Sequence, residues 1–579
     1  MSLPQNPEEL LRWSWPEIEP HYQALAARDL TPANVHQWLA DWSRLNERIS
    51  EMKHRLSVAT TVNTADADAE RRYKAYLDEI YPAAQAAEQK LKEKLLASGL
   101  KPEGLETALR NMRAEAALFR EANLPLLAEE LKLKTEYDKI VGAQTVTWEG
   151  QETTLSQLHA VYQHPDRAVR EQAWRLASER QLADREAINA LWRKFLRLRR
   201  QLAANAGFGD DYRAYRWQQQ LRFDYTPADC VSFHSAIEEV AVPAARRIYE
   251  RRRQRLGVET LRPWDLVDGW YSRPADPPSR PPLRPFQNVG ELETTTSTIF
   301  HRVDPQLGAH FDAMRREGLL DLENRKHKAP GAYCEMFESV RRPFIFMNAV
   351  GLHDDVQTLL HESGHAFHVF ESSPLPYIQQ FQVGLEFAEV ASMGMELLAS
   401  PYLAGAHGGF YAEADSARAR IEHLERSILF WPFMAVVDAF QHWVYEHPDA
   451  ALDPANCDAQ WGRLWDRFMT GVDWGGLEQA NRTGWHRKLH IHEEPLYYVE
   501  YGLAQLGAVQ VWRNALRDQT GAVAAYRRAL ALGGTVPLPQ LYAAAGTKFA
   551  FDADTLRAAV DLMEETIHAL DSSSQLADG

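Results

Sequence analysis

The sequence predicts a mainly α-helical fold that contains one small β-sheet. Residues 66–96 and 114–140 are rich in Ala, Glu, Lys and Leu and hold few helix-breaking residues, which is typical of long helices. The strongest strand signals come at residues 332–337 and 343–348, where many residues suit a pleated surface. Two strands in a helical chain favour either a small structural hairpin or a sheet edge that pairs with an extended peptide.

The segments between these elements fit the same fold class. Residues 145–154 predict a short hairpin with Glu149 and Gly150 at its turn. Helical periodicity resumes over residues 166–206. Six prolines between Ser272 and Pro285 predict an extended connector, because proline fixes φ and removes a backbone donor.

Charge and composition argue against several classes of protein. The formal net charge of −16 does not suit a nucleic-acid binder, which needs a basic surface. The longest apolar run, residues 428–437, contains Pro432 and is too short to span a membrane, so we expect a buried helix there. The first residues lack the features of a signal peptide, and Cys230, Cys334 and Cys457 are too scattered for a disulfide framework. These features are typical of a cytoplasmic protein.

A chemically distinctive motif follows the second strand. Asp354 and Gln357 are spaced as a capping box, which predicts a helix that runs to about residue 370. His361 and His365 lie four residues apart, so both imidazoles occupy one face of this helix. Glu362 is displaced by about 100° around the axis and can reach a water on a metal without being a ligand. The H-E-x-x-H pattern therefore predicts a metal site with Glu362 as the catalytic base.

We expect the third ligand on a later helix. The metzincin continuation is excluded, because it requires Gly and His where this chain has His368 and Glu371. Glu389 and Glu396 share one helical face in an apolar setting, where a carboxylate needs a partner or a metal. Glu386 lies off that face and is expected to be exposed. The residues alone leave both Glu389 and Glu396 as candidates.

Two imidazoles, one carboxylate and a water make a tetrahedral catalytic zinc with one open position. We therefore expect a single Zn²⁺ in this chain. Zinc would acidify the water and polarise a carbonyl, while Glu362 would take the water's proton and deliver it to the departing amine. His368 lies on the face of His361 and is expected to pack or to orient a ligand, since a fourth protein ligand would close the site.

These motifs resemble the M3 family of metallopeptidases, specifically its oligoendopeptidase F branch. The sequence H-E-S-G-H-A-F-H at residues 361–368 is similar to the family's metal-binding helix, and F-A-E-V-A-S at residues 387–392 is similar to its third-ligand segment. Residues 328–334 and 343–348 resemble its substrate-side strands, and residues 490–502 resemble the segment with its transition-state donors. The resemblance covers roughly residues 140–570 and selects Glu389 as the third ligand, with Glu396 orienting a zinc-bound histidine.

The resemblance implies a zinc endopeptidase that cuts internal bonds of short, unfolded peptides. It implies a helical fold in two lobes around a deep channel. We expect an N-terminal helical lobe at 1–195 and a catalytic region at 196–579, with the zinc site at 361–396, the substrate-side strands at 328–348 and the oxyanion segment at 490–501.

The same resemblance assigns roles to residues beyond the metal ligands. Tyr498 and Tyr501 match paired tyrosines whose neutral, directional hydroxyls suit an oxyanion. His490 and His492 compete for the adjacent histidine role, and His492 is preferred because it directly precedes Glu-Glu-Pro. The expected substrate contacts are Gly331, Ala332, Tyr333 and His490.

Two other functions fit part of this pattern. Helical metallocarboxypeptidases also combine H-E-x-x-H with a later glutamate. A peptide-binding protein without catalytic activity is disfavoured, because such a protein would be expected to lose at least one of His361, Glu362, His365 and Glu389.

Overall fold

The computed structural model describes residues 6–158, 161–266, 283–329 and 331–577. Helices dominate, as predicted, and strands are short and few. The helices of the first half are α1 (Pro7–Leu10), α2 (Trp15–Ala27), α3 (Val35–Val62), α4 (Ala67–Ala75), α5 (Tyr81–Ala97), α6 (Glu106–Leu118), α7 (Leu124–Gly142), α8 (Leu155–Leu158), α9 (Arg167–Ala183), α10 (Arg185–Ala206), α11 (Tyr212–Gln219), α12 (Pro227–Leu256), α13 (Val289–Val303) and α14 (Pro305–Glu317).

The second half is also mainly helical. Its helices are α15 (His353–Ser372), α16 (Leu385–Ala399), α17 (Glu413–Glu446), α18 (Pro448–Ala451), α19 (Pro454–Phe468), α20 (Glu478–Arg482), α21 (Leu489–Glu493), α22 (Val499–Ala515), α23 (Gln519–Ala531), α24 (Leu538–Ala544) and α25 (Ala553–Ala577). The strands of the whole chain are β1 (Thr145–Trp148), β2 (Gln151–Thr154), β3 (Leu320–Glu323), β4 (Tyr333–Phe337) and β5 (Arg342–Ala349).

The chain forms two compact units, each assembled from three segments. Unit 1 comprises Met1–Ala117, Leu283–Ser416 and Gly507–Phe549, and unit 2 comprises Leu118–Pro282, Ala417–Leu506 and Ala550–Gly579. A division at residue 195 was expected from the sequence. That position falls inside α10, within unit 2, and coincides with no boundary between the units.

Both long helical predictions are correct in type but too continuous. A five-residue π-helical segment, Tyr76–Ile80, separates α4 from α5, and Pro82 stands at the start of α5. The second predicted helix is interrupted between α6 and α7, where Pro125 occupies the first turn of α7. Proline is tolerated in a first helical turn but not farther inside, so each one marks a new helix start.

The predicted strands 332–337 and 343–348 are confirmed in unit 1. They form β4 and β5, which pair antiparallel with Tyr333 opposite Phe346. β3 pairs parallel with the other side of β5 and was missed by the sequence analysis, giving the order β3-β5-β4. Within the described residues, β4 is therefore an edge strand that pairs with a strand on one side only.

The start of α15 differs from its prediction. Gly351 has a φ of 88°, a left-handed conformation that glycine adopts without strain, and it turns the chain from β5 into the helix. Asp355 then accepts hydrogen bonds from the backbone N–H groups of Val350 and Leu352, both at 2.8 Å. The capping box expected at Asp354 and Gln357 was thus wrong, because the helix begins earlier and its capping acid is Asp355.

Unit 2 contains the predicted hairpin and the long apolar segment. β1 and β2 pair antiparallel, with Glu149 and Gly150 at the turn as expected. Residues 428–437 lie within α17 and are almost entirely buried, which confirms the predicted buried helix. Most of the predicted proline connector, residues 272–282, lies outside the described residues. In the part of the chain that is described, none of the helices is long and apolar enough to cross a membrane.

Candidate active site

Helices α15 and α16 pack closely against each other at Gly364 in unit 1. A Cβ atom at this position would lie 2.4 Å from the Ala391 carbonyl oxygen and 2.6 Å from the Ser392 Cα. Glycine therefore lets the two helix backbones pack together. This contact brings the ligand-type side chains of α15 next to those of α16.

His361, His365 and Glu389 converge at this helix contact. Their potential ligand atoms all lie within 4.8 Å of one another. The Glu389 Oε2 atom is 3.4 Å from His361 Nε2 and 3.7 Å from His365 Nε2. In a tetrahedral zinc site with bonds of about 2.0–2.2 Å, ligand atoms are separated by about 3.3–3.6 Å. The three side chains thus suit a zinc ion in donor type, and the two Glu389 separations lie within this range or slightly above it.

Two neighbours hold these ligand-type side chains in place. Glu396 Oε1 lies 2.6 Å from His361 Nδ1, which leaves Nε2 directed at Glu389. The Ser392 hydroxyl donates to Glu389 Oε2 at 2.8 Å. Such support fixes the tautomer and the orientation of a metal-binding side chain. The sequence analysis expected Glu396 to orient a zinc-bound histidine, and the structure places its carboxylate beside His361.

The charges at this site favour a bound cation. Burial opposes protonation of His361, but its hydrogen bonds with Glu389 and Glu396 raise its pKa well above the usual value. Burial lowers the pKa of His365 to about 4, so this imidazole is neutral near pH 7. A neutral imidazole and ionised carboxylates are metal ligands, and a metal would displace the proton held by His361.

Glu362 follows His361 on α15 and is 8% exposed. Burial raises the pKa of its carboxyl to about 7, although the His361 charge and the backbone N–H of Cys334 oppose the shift. A carboxyl with a pKa near neutrality is suited to accept and return a proton at that pH. The nearby Cys334 is a poor nucleophile by comparison, because burial raises the pKa of its thiol well above the usual value.

The burial of Glu386 and the environment of His368 can also be compared with the expectations from the sequence. Glu386 was expected to be exposed but is only 3% exposed. That expectation was wrong because α16 is covered on more than one side, with the Tyr542 hydroxyl donating to the Glu386 carbonyl. His368 is buried with its ring 6.3 Å from that of Phe387, and it does not belong to the ligand-type group, which agrees with a packing role.

The expected substrate contacts lie at and just before β4. Gly331, with a φ of 96°, turns the chain into the strand, and Asn348 Nδ2 donates to its carbonyl oxygen at 3.0 Å. Ala332 is half-buried, and the Tyr333 ring stacks on Phe346 with 4.8 Å between ring centroids. The segment is therefore held against β5 from one side.

The tyrosines of the predicted oxyanion segment form an aromatic cluster in unit 2. The rings of Tyr498 and Tyr501 lie 5.6 Å apart, and both lie beside Phe430. His490 completes the cluster, at 5.1 Å from Tyr498 and 5.9 Å from Tyr501.

His492, which the sequence analysis preferred, occupies a different environment in unit 2. Its side chain is fully buried and its ring stacks on Tyr137, with 4.4 Å between centroids. Trp192 and Trp485 contact the same ring. The preference for His492 over His490 is therefore not supported, because only His490 contacts both tyrosines. In a short helix such as α21, residues two apart point in different directions, which the sequence alone did not resolve.

An H-E-x-x-H helix joined by a glutamate from the next long helix is an arrangement typical of metallopeptidases. The family model described as peptidase family M3 matches residues 160–561, and the one described as the peptidase M3 N-terminal domain matches residues 8–118. The chain therefore belongs to peptidase family M3 and is a peptidase, as the resemblance implied.

Solved structures agree with this family. The structure titled "PZ peptidase A with inhibitor 2" is 26% identical, with 98% of each chain covered and a TM-score of 0.83. A putative oligoendopeptidase F is also 26% identical, over 96% of this chain and 97% of its own, with a TM-score of 0.85. A putative oligoendopeptidase F from Bacillus anthracis is 23% identical over 97% of each chain, with a TM-score of 0.81, and shows the fold alone. No curated protein matches the chain.

Proposed function

We propose that this peptidase is a zinc endopeptidase that hydrolyses internal bonds of short, unfolded peptides. The observation that carries the proposal is the convergence of His361, His365 and Glu389 within 4.8 Å, on the helix where Glu362 follows His361. The similarity to structures titled as oligoendopeptidase F and PZ peptidase supports the substrate class.

His361, His365 and Glu389 would hold the zinc ion. When bound, zinc supplies Lewis acidity, which polarises the scissile carbonyl and makes water more acidic. Glu362 accepts the proton of the attacking water and then donates it to the departing amine, a role that suits a buried carboxyl next to the ligand-type histidines. Glu396 accepts the hydrogen bond of His361 Nδ1 and keeps that ring oriented.

The substrate backbone would pair with the outer edge of β4. An edge strand has unpaired N–H and C=O groups that can bind an extended peptide. Gly331, Ala332 and Tyr333 are the residues we assign to this contact, and the hydrogen bond from Asn348 to Gly331 holds them in place beforehand.

Tyr498 and Tyr501 are our candidates for hydroxyl donors to the oxyanion of the transition state. Their match to the family motif and their shared packing with His490 support the assignment. We assign His490, in place of His492, as the histidine that positions these tyrosines.

The experiment that tests the endopeptidase assignment uses fluorescence-quenched peptides of about ten residues. One set carries blocked amino and carboxyl termini, and the other has the same sequences with a free carboxyl terminus. An endopeptidase cuts both sets at internal bonds, which mass spectrometry locates. Cleavage of the free set alone, one residue at a time from the carboxyl end, would support a metallocarboxypeptidase instead. No cleavage of either set by zinc-loaded protein would favour the non-catalytic peptide binder.

A further inference from the structure

A second group of ligand-type side chains lies buried in unit 2, apart from the proposed catalytic residues. Cys230 and His234 are four residues apart on α12, and Asp438 and His442 are four residues apart on α17. Residues at this spacing lie on one helix face, so each helix presents one pair. The potential ligand atoms of Cys230, Asp438 and His442 all lie within 4.8 Å of one another.

Burial makes this group unusual among polar clusters. Cys230 and Asp438 are 0% exposed, and His234 and His442 are each 4% exposed. A carboxylate removed from water is costly unless cations or hydrogen-bond donors compensate for it. The Asp438 side chain therefore needs partners within the group itself.

The hydrogen bonds within the group compensate for the burial of the Asp438 carboxylate only in part. His234 Nε2 lies 2.8 Å from Asp438 Oδ2. Within the described residues, Asp438 Oδ1 has no hydrogen-bond partner, and His442 Nε2 lies 3.4 Å from Asp438 Oδ2, which is long for a hydrogen bond. A separation of 3.4 Å falls within the range of about 3.3–3.6 Å expected for two ligand atoms on a tetrahedral metal.

We propose that Cys230, Asp438 and His442 bind a divalent metal ion of the zinc class, with His234 orienting the Asp438 carboxylate. A thiolate and an imidazole select zinc or a similar transition metal over magnesium and calcium, which prefer oxygen ligands. The hydrogen bond from His234 to Asp438 corresponds to the support that metal-binding carboxylates usually receive. Full burial keeps peptide substrates away, so this ion stabilises the contact between α12 and α17.

The competing arrangement is a cluster held by hydrogen bonds alone. Arg213 Nη1 lies 3.3 Å from His442 Nδ1. A guanidinium can only donate, so in this arrangement His442 Nδ1 is the acceptor. The proton of a neutral His442 is then on Nε2, where it points to Asp438, and Nε2 is not available as a metal ligand. The two arrangements differ in metal content and in whether sulfur is a ligand.

The test loads the full-length protein with cobalt in place of zinc. Cys230 is the only thiol among our proposed ligands, so cobalt bound there gives a thiolate-to-cobalt charge-transfer band that the catalytic site cannot give. We expect this band in the wild type and in a His361→Gln/His365→Gln double variant, and its loss in Cys230→Ser. Cys457→Ser is the matched control, because Cys457 is equally buried on α19 of the same unit and should leave the band unchanged.

Metal analysis by mass spectrometry gives an independent measure. We expect about two zinc ions in each wild-type or Cys457→Ser chain, and about one in the double variant and in Cys230→Ser. The proposal would be overturned by three results together: about one zinc in the wild type, none in the double variant, and no sulfur-to-cobalt band in the wild type. The wild-type spectrum decides this even if Cys230→Ser fails to fold. If the double variant shows the band and also keeps full peptidase activity, the proposed catalytic site is refuted, whereas the proposed buried metal site is supported.

Discussion

The two groups of ligand-type side chains follow the same construction rule but differ in their access to solvent. In each, one helix supplies two ligand-type residues four apart and a second helix supplies the third, a carboxylate in unit 1 and a thiol in unit 2. In unit 1, the side chains of His361 and His365 are 26% and 23% exposed. In unit 2, the side chains of His442 and Asp438 are 5% and 0% exposed.

This difference in exposure shows that similar ligand geometry does not imply the same function. The spacing of residues on a helix determines whether side chains converge, and it is satisfied in both units. Exposure determines whether a water and a peptide bond can reach a bound metal. The unit 1 group therefore suits catalysis, whereas the unit 2 group suits stability.

The largest effect is expected for Glu362→Gln. The amide keeps the size of the side chain but cannot accept the proton of water, so kcat should fall on the order of 10²–10⁴-fold with zinc content unchanged. Glu371→Gln is the control on the same helix, because Glu371 pairs with Arg527 at 2.7 Å and has no assigned catalytic role. Near wild-type turnover by zinc-loaded Glu362→Gln protein would contradict the mechanism.

Tyr501→Phe should lower kcat by about 10²-fold if its hydroxyl stabilises the oxyanion. Tyr501 belongs to the same unit as the buried group, so this variant tests whether unit 2 has a catalytic role as well as a stabilising one. Tyr497→Phe is the matched control, since its ring contacts Tyr501 at 5.3 Å and it has no assigned role. Equal effects of both variants on kcat would indicate a general packing defect.

Glu396→Ala and His234→Ala remove the supporting residue of each group. Loss of such support typically costs 10–100-fold in metal affinity. We expect Glu396→Ala to weaken the zinc that supports activity, and His234→Ala to weaken the buried ion alone. Competition titrations with a zinc-binding dye, read together with kcat, distinguish the two. If either single variant lowers the zinc affinity of both sites, the two sites are not independent.

The smallest effect is expected for Gly364, the glycine at the α15–α16 contact. Gly364→Ala introduces a Cβ that would lie 2.4 Å from a backbone oxygen, so the free energy of unfolding should fall by about 1–3 kcal/mol. Gly394→Ala on α16 is the control, because the nearest atom there is the Tyr526 ring at 3.5 Å, an ordinary contact. Denaturant unfolding of both variants measures the difference, and equal stabilities would mean that the helices can separate without cost.

Much of the fold and of the candidate site could be predicted from local patterns. The strands β4 and β5, the hairpin of β1 and β2 and the helical setting of His361 and His365 all depend on residues close together in the chain. The burial of Glu386 and the separate environments of His490 and His492 could not be predicted in this way. Each depends on which other element covers that face, and the sequence pattern does not carry that information.

The sequence by itself determined that His361 and His365 converge, because an i,i+4 pair of histidines on a helix does so wherever that helix lies. It also narrowed the expected third ligand to two glutamates on one face of α16. The family resemblance favoured Glu389, and the tertiary structure shows that Glu389 approaches both histidines while Glu396 contacts Nδ1 of His361. Only the tertiary structure brought Cys230 next to Asp438 and His442, since about 200 residues separate them and helix packing alone sets their distance.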